Sequence, residues 1–304
     1  MAAVNPMNHR LPVSYCGDPI RPPAEAESVI LQLTTGCPHN HCDFCGAYQR
    51  VPFRVRQPQE FRQHALWVRE QEPLTHDLSR VFFADGDSLM LSPAALLEAI
   101  DIARSVFGQA RRFATYAGAL GIRCKTGGEL QQLKAAGLNT LYLGLESGSD
   151  FILTDMNKGA SATEMVEAVK HAQQAGLRVS VMVLLGLGGP ERSREHALAT
   201  AEALNRMQPR LLSVLTLMLI PGTLLWQRAQ QGSFRLLNQR ETLVELRELL
   251  AALRLERTVF AANHASSFLP LTGALPRDQK HLLAEIDAAL AGQRRLVPDL
   301  LRGL

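Results

Sequence analysis

The sequence lacks the features that would mark a membrane, secreted or nucleic-acid-binding protein. No apolar run reaches the ~20 residues that a membrane-spanning helix needs. Residues 1–21 are polar, contain several prolines and lack the apolar centre of a secretory signal. The formal net charge is only +3 over 304 residues, and the arginine-bearing stretches 50–56 and 294–295 are short enough to be solvated faces. We therefore expect a cytoplasmic protein without a membrane partner, and we do not expect it to bind nucleic acid.

Cysteine is also scarce, and its distribution is uneven. The chain has five cysteines, and Cys37, Cys42 and Cys45 fall within nine residues. Where thiols stay reduced, such a cluster is typical of a metal site rather than of disulfides. Thiolates suit an iron–sulfur cubane, in which three cysteines leave one iron open, or zinc, with His39 or His41 as the fourth ligand. The spacing alone favours neither alternative.

Beyond residue 27, apolar runs alternate with amphipathic helical patterns. Strands are predicted at 28–34, 80–84, 111–116, 140–145, 178–185 and 211–219. Helix starts are marked by the capping-box pairs Thr126–Glu129 and Ser161–Glu164. Six alternating units imply a parallel sheet with right-handed crossovers. They predict an α/β fold of the partial (β/α)6, TIM-like barrel type with a short C-terminal helical extension.

The chain is predicted to have three parts. Residues 1–27 form an N-terminal lead-in, and residues 28–257 form the barrel. Residues 258–304 form a loop and a helix that are placed to close the open side of the barrel. In that loop His264 is a candidate catalytic residue that would orient substrate or move a proton. The alternative for His264 is a polar loop residue that makes turn hydrogen bonds.

The residues with unusual chemistry follow the predicted strands. In a parallel barrel the loops at the carboxyl ends of the strands converge on one face, here called the mouth, where active sites lie. These residues are Asp85, Gly86 and Asp87 after the second strand, Glu146 and Ser147 after the fourth, and Gly186 and Gly188 after the fifth. The three clustered cysteines follow the first strand. This location favours the cluster with an open iron, because a structural zinc site has no need of the other loops.

Together these segments resemble the radical S-adenosylmethionine superfamily. The resemblance is carried by the cysteine loop, with Phe44 before its last cysteine, and by the sequence GLESG at 144–148. The stretches MNKG at 156–159 and LMLIPGT at 217–223 are similar to the coproporphyrinogen dehydrogenase-like, Elongator-type branch of that family. The similarity extends over roughly residues 28–225, and the combination is more specific than any single motif.

The resemblance implies an enzyme with two cofactors. Cys37, Cys42 and Cys45 would hold a 4Fe–4S cluster, whose open iron chelates the amino and carboxylate groups of S-adenosylmethionine. One electron, from a donor such as flavodoxin or ferredoxin, would cleave the sulfonium to give a 5′-deoxyadenosyl radical that abstracts hydrogen from the substrate. The substrate is a small molecule or another class that the sequence does not identify, and the reaction subclass stays open.

The resemblance also implies contacts to the cofactor from the first two loops. Phe44 is expected to border the adenine. Asp85, Gly86 and Asp87 stand where the family has a glycine-glycine-glutamate-type motif. These residues are therefore expected to receive the methionyl amino group, with a shorter carboxylate than the family's.

Further contacts are implied for the later loops. Glu146 and Ser147 are expected to contact the ribose or the methionyl part of the cofactor, and Lys158 is expected to meet its carboxylate. Gly186 and Gly188 allow the backbone to approach the cofactor closely.

One departure from the family concerns the cysteine spacing. Four residues separate Cys37 from Cys42, where the family has three. A one-residue bulge that keeps all three ligands is favoured over a tilted cluster, which would leave open which C–S bond is cleaved. Two other functions stay open: a non-catalytic barrel that binds zinc or a cluster, and an RNA-modifying radical enzyme. The latter has less support, because such relatives carry a further cysteine cluster, and only Cys16 and Cys124 remain. We expect Cys124 to be buried.

Overall fold

The computed structural model describes residues 11–49, 51–71 and 77–303, so residues 1–10 of the expected lead-in lie outside the described residues. The strands are β1 (Ser28–Gln32), β2 (Thr34–Thr35), β3 (Arg54–Val55), β4 (Asp77–Ala84), β5 (Arg112–Tyr116), β6 (Leu138–Glu146), β7 (Arg178–Leu185), β8 (Leu211–Thr216), β9 (Thr258–Ala262) and β10 (Leu271–Leu275). The helices are α1 (Pro58–Gln71), α2 (Pro93–Val106), α3 (Ala119–Arg123), α4 (Gly127–Ala135), α5 (Asp150–Asp155), α6 (Ala162–Gln174), α7 (Gly189–Met207), α8 (Leu224–Gln230), α9 (Gln239–Ala252) and α10 (Gln279–Leu290). Within these ranges no helix is both long and apolar enough to cross a membrane.

Eight of the strands form one sheet with the linear order β1-β4-β5-β6-β7-β8-β9-β10. All neighbours from β1 to β9 pair in parallel, and β10 pairs antiparallel with β9. Since β1 and β10 stand at opposite edges, the barrel is partial. The expectation of an α/β, TIM-like partial barrel is thus confirmed.

The last two strands differ from the sequence prediction. Residues 258–304 were expected to hold only a loop and a helix. Instead, β9 adds to β8 in parallel and β10 returns beside it, with Leu271 opposite Ala262 and Leu275 opposite Thr258. Each of the two strands has only five residues. A segment this short shows little alternation of apolar and polar residues from which a strand could be predicted. They extend the sheet on the side away from β1.

The side chains of the strands face two separate cores. Residues such as Val81, Phe83 and Leu141 pack against the surrounding helices in the main core. Alternate residues form a smaller interior cluster that includes Phe82 and Tyr142. This alternation follows from the two-residue period of a strand.

Two helices, α4 and α6, begin where the sequence analysis predicted a start. Capping boxes form at Thr126 and Ser161, each with the glutamate three residues later. Helix α1 was missed, although Phe61, His64, Ala65 and Val68 are its buried face at helical spacing. A histidine in the middle of that face interrupts the apolar pattern.

The free edge of β1 is covered by polar side chains. The Tyr15 hydroxyl donates to the Ile30 carbonyl (2.9 Å), and the Arg56 guanidinium donates to the Gln32 carbonyl (2.8 Å). His64 Nε2 accepts from the Gln32 N–H (3.0 Å). Arg56 is buried, so the expectation that stretch 50–56 is a solvated face is wrong for this residue. An edge strand leaves backbone groups unpaired, and these side chains satisfy them.

Candidate active site

The cysteine loop is held at its base by a small ribbon. Thr34 and Thr35 of β2 pair antiparallel with Val55 and Arg54 of β3, so the loop leaves and rejoins the barrel at one point. Gly36 then turns with φ +68°, and a Cβ there would lie 2.6 Å from the Val51 carbonyl oxygen. The close approach explains why this position needs glycine.

The loop has a left-handed turn at Asn40, here called the bulge, between its first and second cysteines. Asn40 has φ +45° and its side-chain amide donates to the Tyr48 carbonyl (3.0 Å). His39 lies beside it, and His39 Nε2 is 2.6 Å from the carbonyl oxygen of Asn157. Gly159 lies directly beneath the His39 ring, since a Cβ on Gly159 would come 2.9 Å from His39 Nδ1. The bulge therefore rests on the 157–159 turn, and a ring nitrogen of His39 is already engaged by backbone.

The three thiols of the loop are free and half-buried. Burial raises the pKa of Cys42 to about 12 and also raises that of Cys45, whereas the positive charge of Lys158 lowers both. Within the described ranges no three histidine, cysteine, aspartate or glutamate side chains surround a position for a single metal ion. A cubane does not need such convergence, because each thiolate binds a different iron. The donor set of three thiols in one loop fits a 4Fe–4S cluster.

Lys158 and Glu146 form an ion pair beside the thiols. Lys158 Nζ lies 3.0 Å from Glu146 Oε1, and less than a fifth of each side chain is exposed. Glu146 ends β6 with φ +61°, next to an irregularity in the β6–β7 pairing. Burial lowers the pKa of Lys158, but Glu146 and the nearby Cys42 together hold it above its ordinary value. The ammonium is therefore a fixed positive charge at the mouth.

Asp85 and Gly86 lie directly under the start of the cysteine loop. The Asp85 carboxylate accepts from Gln32 Nε2 (2.8 Å) and from the Gly36 backbone. Burial raises the pKa of Asp85 to about 6, against the effect of these bonds. Gly86 touches the loop so closely that a Cβ would overlap the Gly36 carbonyl oxygen and lie 3.1 Å from Cys37 Cα. The turn after β4 thus positions the first cysteine.

Asp87 faces backbone groups rather than open space. Its carboxylate accepts from the Leu89 N–H (2.9 Å) and from the Gly118 backbone. Gly121 approaches it so closely that a Cβ there would lie 2.6 Å from Oδ2. Burial raises the pKa of Asp87 to about 6. In the structure this carboxylate fastens the turn after β4 to the start of α3.

The remaining predicted residues are distributed around the mouth. Phe44 packs on an apolar cluster that includes Met156 and Leu225. Ser147 is fully buried, and its hydroxyl accepts from the Ser149 N–H (3.1 Å). Gly186 turns with φ +85°, and Gly188 precedes the first residue of α7.

His264 lies in the loop between β9 and β10. Its Nδ1 is 2.9 Å from the Ser266 hydroxyl, which in turn accepts from the Thr216 N–H at the end of β8 (3.0 Å). The same loop borders a cavity of about 740 Å³ that Phe268 and Arg302 help to line. The described contacts of His264 are thus turn hydrogen bonds within its own loop. Cys124, expected to be buried, is exposed, so that prediction is wrong.

Two polar arrangements at the mouth were missed by the sequence analysis. Asp43, between the second and third cysteines, accepts from Asn157 Nδ2 (2.8 Å) and faces Arg228 of α8 (3.9 Å). His196 of α7 and Glu245 of α9 form a fully buried pair. His196 stands on the apolar face of α7 beside Ala197 and Ala201, a signal that could have been read. Nothing in the sequence pairs Asp43 with its distant partners.

The chain matches a known protein family. The radical SAM superfamily model matches residues 31–204. An uncharacterized methyltransferase of Pyrococcus horikoshii is 27% identical over 206 residues, which are 66% of this chain and 41% of that protein. The chain spans about half or less of the length of the curated relatives it matches.

Two solved structures share the fold at low sequence identity. Methylornithine synthase is 17% identical with a TM-score of 0.54, over 86% of this chain and 70% of that one. Coproporphyrinogen III oxidase from Escherichia coli, described as a radical SAM enzyme, is 20% identical with a TM-score of 0.53, over 74% and 51%. Both likenesses show that this chain shares the fold of these proteins. Since the family model covers more than half of a chain that forms a partial barrel with three cysteines at its mouth, the chain belongs to the radical SAM superfamily of enzymes, whose members bind a 4Fe–4S cluster and S-adenosylmethionine.

Proposed function

We propose that this chain cleaves S-adenosylmethionine reductively and so starts radical chemistry on a substrate. The observation that carries the proposal is the position of three free thiols, Cys37, Cys42 and Cys45, at the barrel mouth beside a fixed ammonium group. These thiolates would hold the 4Fe–4S cluster, which supplies the electron for C–S bond cleavage when it is bound. A flavodoxin or ferredoxin is the expected electron donor, and a small molecule is the expected substrate.

In this proposal Lys158 serves both the thiolates and the cofactor, and Glu146 serves the cofactor. Burial disfavours the charged form of the thiols, and the ammonium of Lys158 offsets part of that cost. The ammonium matches the carboxylate of S-adenosylmethionine. The carboxylate of Glu146 matches the hydroxyl groups of the ribose or the methionyl amino group. Ser147 holds the turn that follows Glu146 through its bond from Ser149.

The turn after β4 receives the methionyl amino group in this proposal. The carboxylate of Asp87 is already occupied by backbone N–H groups, so we assign it the role of holding the turn. The backbone of Asp85 and Gly86, adjacent to the first cysteine, is then the part of the turn that faces the amino group. Asp85 fixes that backbone through Gln32.

The other predicted residues complete the site. Phe44 presents an aromatic surface to the adenine, and the turn at Gly186 and Gly188 lets backbone approach the cofactor. His264 is proposed to orient substrate or move a proton. The bond from the Ser266 hydroxyl to His264 Nδ1 leaves Nε2 as the nitrogen that can do so.

Anaerobic reconstitution tests the proposed function. The protein is loaded with iron and sulfide, its metal content is measured, and S-adenosylmethionine is added with dithionite. About four irons per chain and the formation of 5′-deoxyadenosine are the expected results. A variant with all three clustered cysteines changed to alanine is the control and should show neither. Stoichiometric zinc with no cleavage product would overturn the proposal and favour a non-catalytic metal-binding barrel.

A further inference from the structure

A buried histidine–glutamate pair connects two loops of the mouth. His196 of α7 and Glu245 of α9 are both fully buried. His196 Nδ1 lies 3.0 Å from Glu245 Oε1, and His196 Nε2 lies 3.1 Å from the carbonyl oxygen of Glu146. Glu245 Oε1 also accepts the backbone N–H of Gly186 (2.7 Å). The pair therefore bridges the end of β6 to the turn after β7.

The hydrogen-bond partners fix where the protons are. A backbone carbonyl can only accept, so Nε2 of His196 carries the proton that it donates to Glu146. Between His196 Nδ1 and Glu245 Oε1 one further proton is required, because two bare acceptors at 3.0 Å would repel. Whether that proton resides on the imidazole or on the carboxyl, the pair is neutral as a whole and cannot lose the proton without losing the contact.

The surroundings of the pair support retention of this proton. Burial lowers the pKa of His196, but the hydrogen bond and charge of Glu245 outweigh it and hold the pKa above its ordinary value. Glu195, the preceding residue of α7, acts in the same direction. The other carboxylate oxygen of Glu245, Oε2, is buried and has no hydrogen-bond partner among the described residues. Both contacts of this carboxylate are thus made by Oε1.

Such a pair is a poor source of stability. Replacing a buried ion pair with apolar side chains of similar volume is often neutral or stabilising. The structure instead shows two loops of the mouth fastened by it. Glu146, with φ +61°, directs its side chain to Lys158, and its carbonyl is held by His196. Gly186, with φ +85°, is held through its N–H by Glu245.

We propose that His196 and Glu245 are positioning residues that set the loops after β6 and β7 for binding of S-adenosylmethionine. This inference rests on the proposed function, because it assigns the binding surface to Glu146, Lys158 and the Gly186 turn. Because His196 and Glu245 are fully buried, we assign them no direct contact with the cofactor. They act through the backbone groups that they hold.

Two substitutions, one at His196 and one at Glu245, each remove a contact of the pair that bridges the two loops. His196→Gln keeps one donor for the Glu146 carbonyl but cannot also reach Glu245. Glu245→Gln cannot both accept from Gly186 and supply the proton that His196 Nδ1 needs, so one contact is lost. His171→Gln is the matched control, since His171 Nε2 also contacts a backbone carbonyl, that of Lys125 (2.8 Å), away from these loops.

The first measurement is the affinity for S-adenosylmethionine of the anaerobically reconstituted proteins, by equilibrium dialysis without reductant. Both bridge variants should bind at least about tenfold more weakly than wild type, the size usual for supporting residues behind a ligand shell, with unchanged iron content. The control variant should bind as wild type does. If wild type binds and the bridge variants bind equally well, the inference is wrong. If wild type itself does not bind, the proposed function is wrong.

The second measurement does not depend on cofactor binding or on the folding of a variant. Nitrogen-15 NMR of histidine-labelled wild-type protein should show a slowly exchanging Nε2 proton on His196 and a second proton shared with Nδ1. Both should persist from about pH 6 to pH 8, a range that extends well above the ordinary imidazole pKa of about 6.5. Loss of the second proton near pH 6.5, with Nε2 exchanging freely, would overturn the bridge.

Discussion

The ammonium of Lys158 lies 3.0 Å from Glu146 Oε1 and its charge acts on the thiols of Cys42 and Cys45. Twelve positions separate Lys158 from Glu146 along the chain. One cation therefore serves the proposed cluster ligands and a proposed cofactor ligand at once.

Substitution of Lys158 should weaken cofactor binding. Lys158→Met keeps the length of the side chain but removes the charge that faces the cofactor carboxylate. We expect binding of S-adenosylmethionine to weaken at least about tenfold, since a hydrogen bond to a charged group contributes ~1.5–3 kcal/mol. Equilibrium dialysis of the reconstituted protein measures this. Lys170→Met, at an exposed position of α6, is the control. Equal affinities of the two variants would contradict the role given to Lys158.

Asp43 should anchor the cysteine loop. Its buried carboxylate accepts from Asn157 (2.8 Å), and its backbone groups bond Met156 and Leu225. Asp43→Ala leaves the Asn157 amide without this partner and should lower the free energy of unfolding by ~2 kcal/mol. It should also increase the rate at which the cluster is lost. Urea unfolding and the decay of the visible cluster absorbance measure the two effects.

Asp155 provides a matched control for Asp43, because both carboxylates face Arg228. Asp155 pairs with Arg228 at 2.9 Å, but it is 40% exposed. Exposed ion pairs contribute ~0–1 kcal/mol, so Asp155→Ala should change little. If both alanine variants unfold alike and retain the cluster equally, Asp43 is not an anchor.

The sequence predicted what depends on local pattern and on topology. Two capping boxes fixed helix starts at Thr126 and Ser161, and alternation of strands and helices fixed the parallel sheet. The convergence of loops at the mouth follows from that sheet alone. The turn after β4 touches the cysteine loop at Gly86 and Gly36. That contact could therefore be predicted from the sequence.

Other features depend on contacts between distant parts of the chain. Asp87 stood at the expected place, yet its carboxylate is taken by the backbone of Gly118, which no local pattern reveals. Arg56 sat in a basic stretch, but the unpaired edge of β1 gives it buried acceptors. Helical and strand periodicity report burial and say nothing about which polar groups meet. Long-range polar pairing is thus the part that required the structure.

Asp87 should make stability depend on pH. Burial raises its pKa in the folded chain to about 6, above the ~3.9 of an unfolded aspartate. The folded state then binds the proton more tightly, so stability falls as the pH rises from about 4 to about 6 and is level above that range. Asp87→Asn cannot titrate and should lose ~3 kcal/mol less over this interval, at ~1.4 kcal/mol per pKa unit. Urea unfolding at several pH values tests it, and parallel profiles for the two proteins would refute it.

The bulge at Asn40 should depend on a glycine in a different loop. Gly159 has φ +75° and lies against the His39 ring, whereas Gly176 has φ +84° and would place a Cβ only in ordinary contact, 3.8 Å from Lys134. Alanine at either position suffers the same left-handed strain, about 1–2 kcal/mol. Gly159→Ala should in addition displace His39 and with it the segment between Cys37 and Cys42.

The comparison of these two glycine variants isolates the contact with His39. We expect Gly159→Ala to retain clearly less iron than Gly176→Ala after reconstitution, at similar thermal stability. The double variant Gly159→Ala with His39→Ala removes the ring that the new methyl group meets, so its iron content should return toward that of wild type. Equal iron content in the two single variants would show that the bulge does not rest on Gly159. Failure of the double variant to recover would show that the loss comes from backbone strain, and the four-residue spacing would then be held by the Asn40 turn itself.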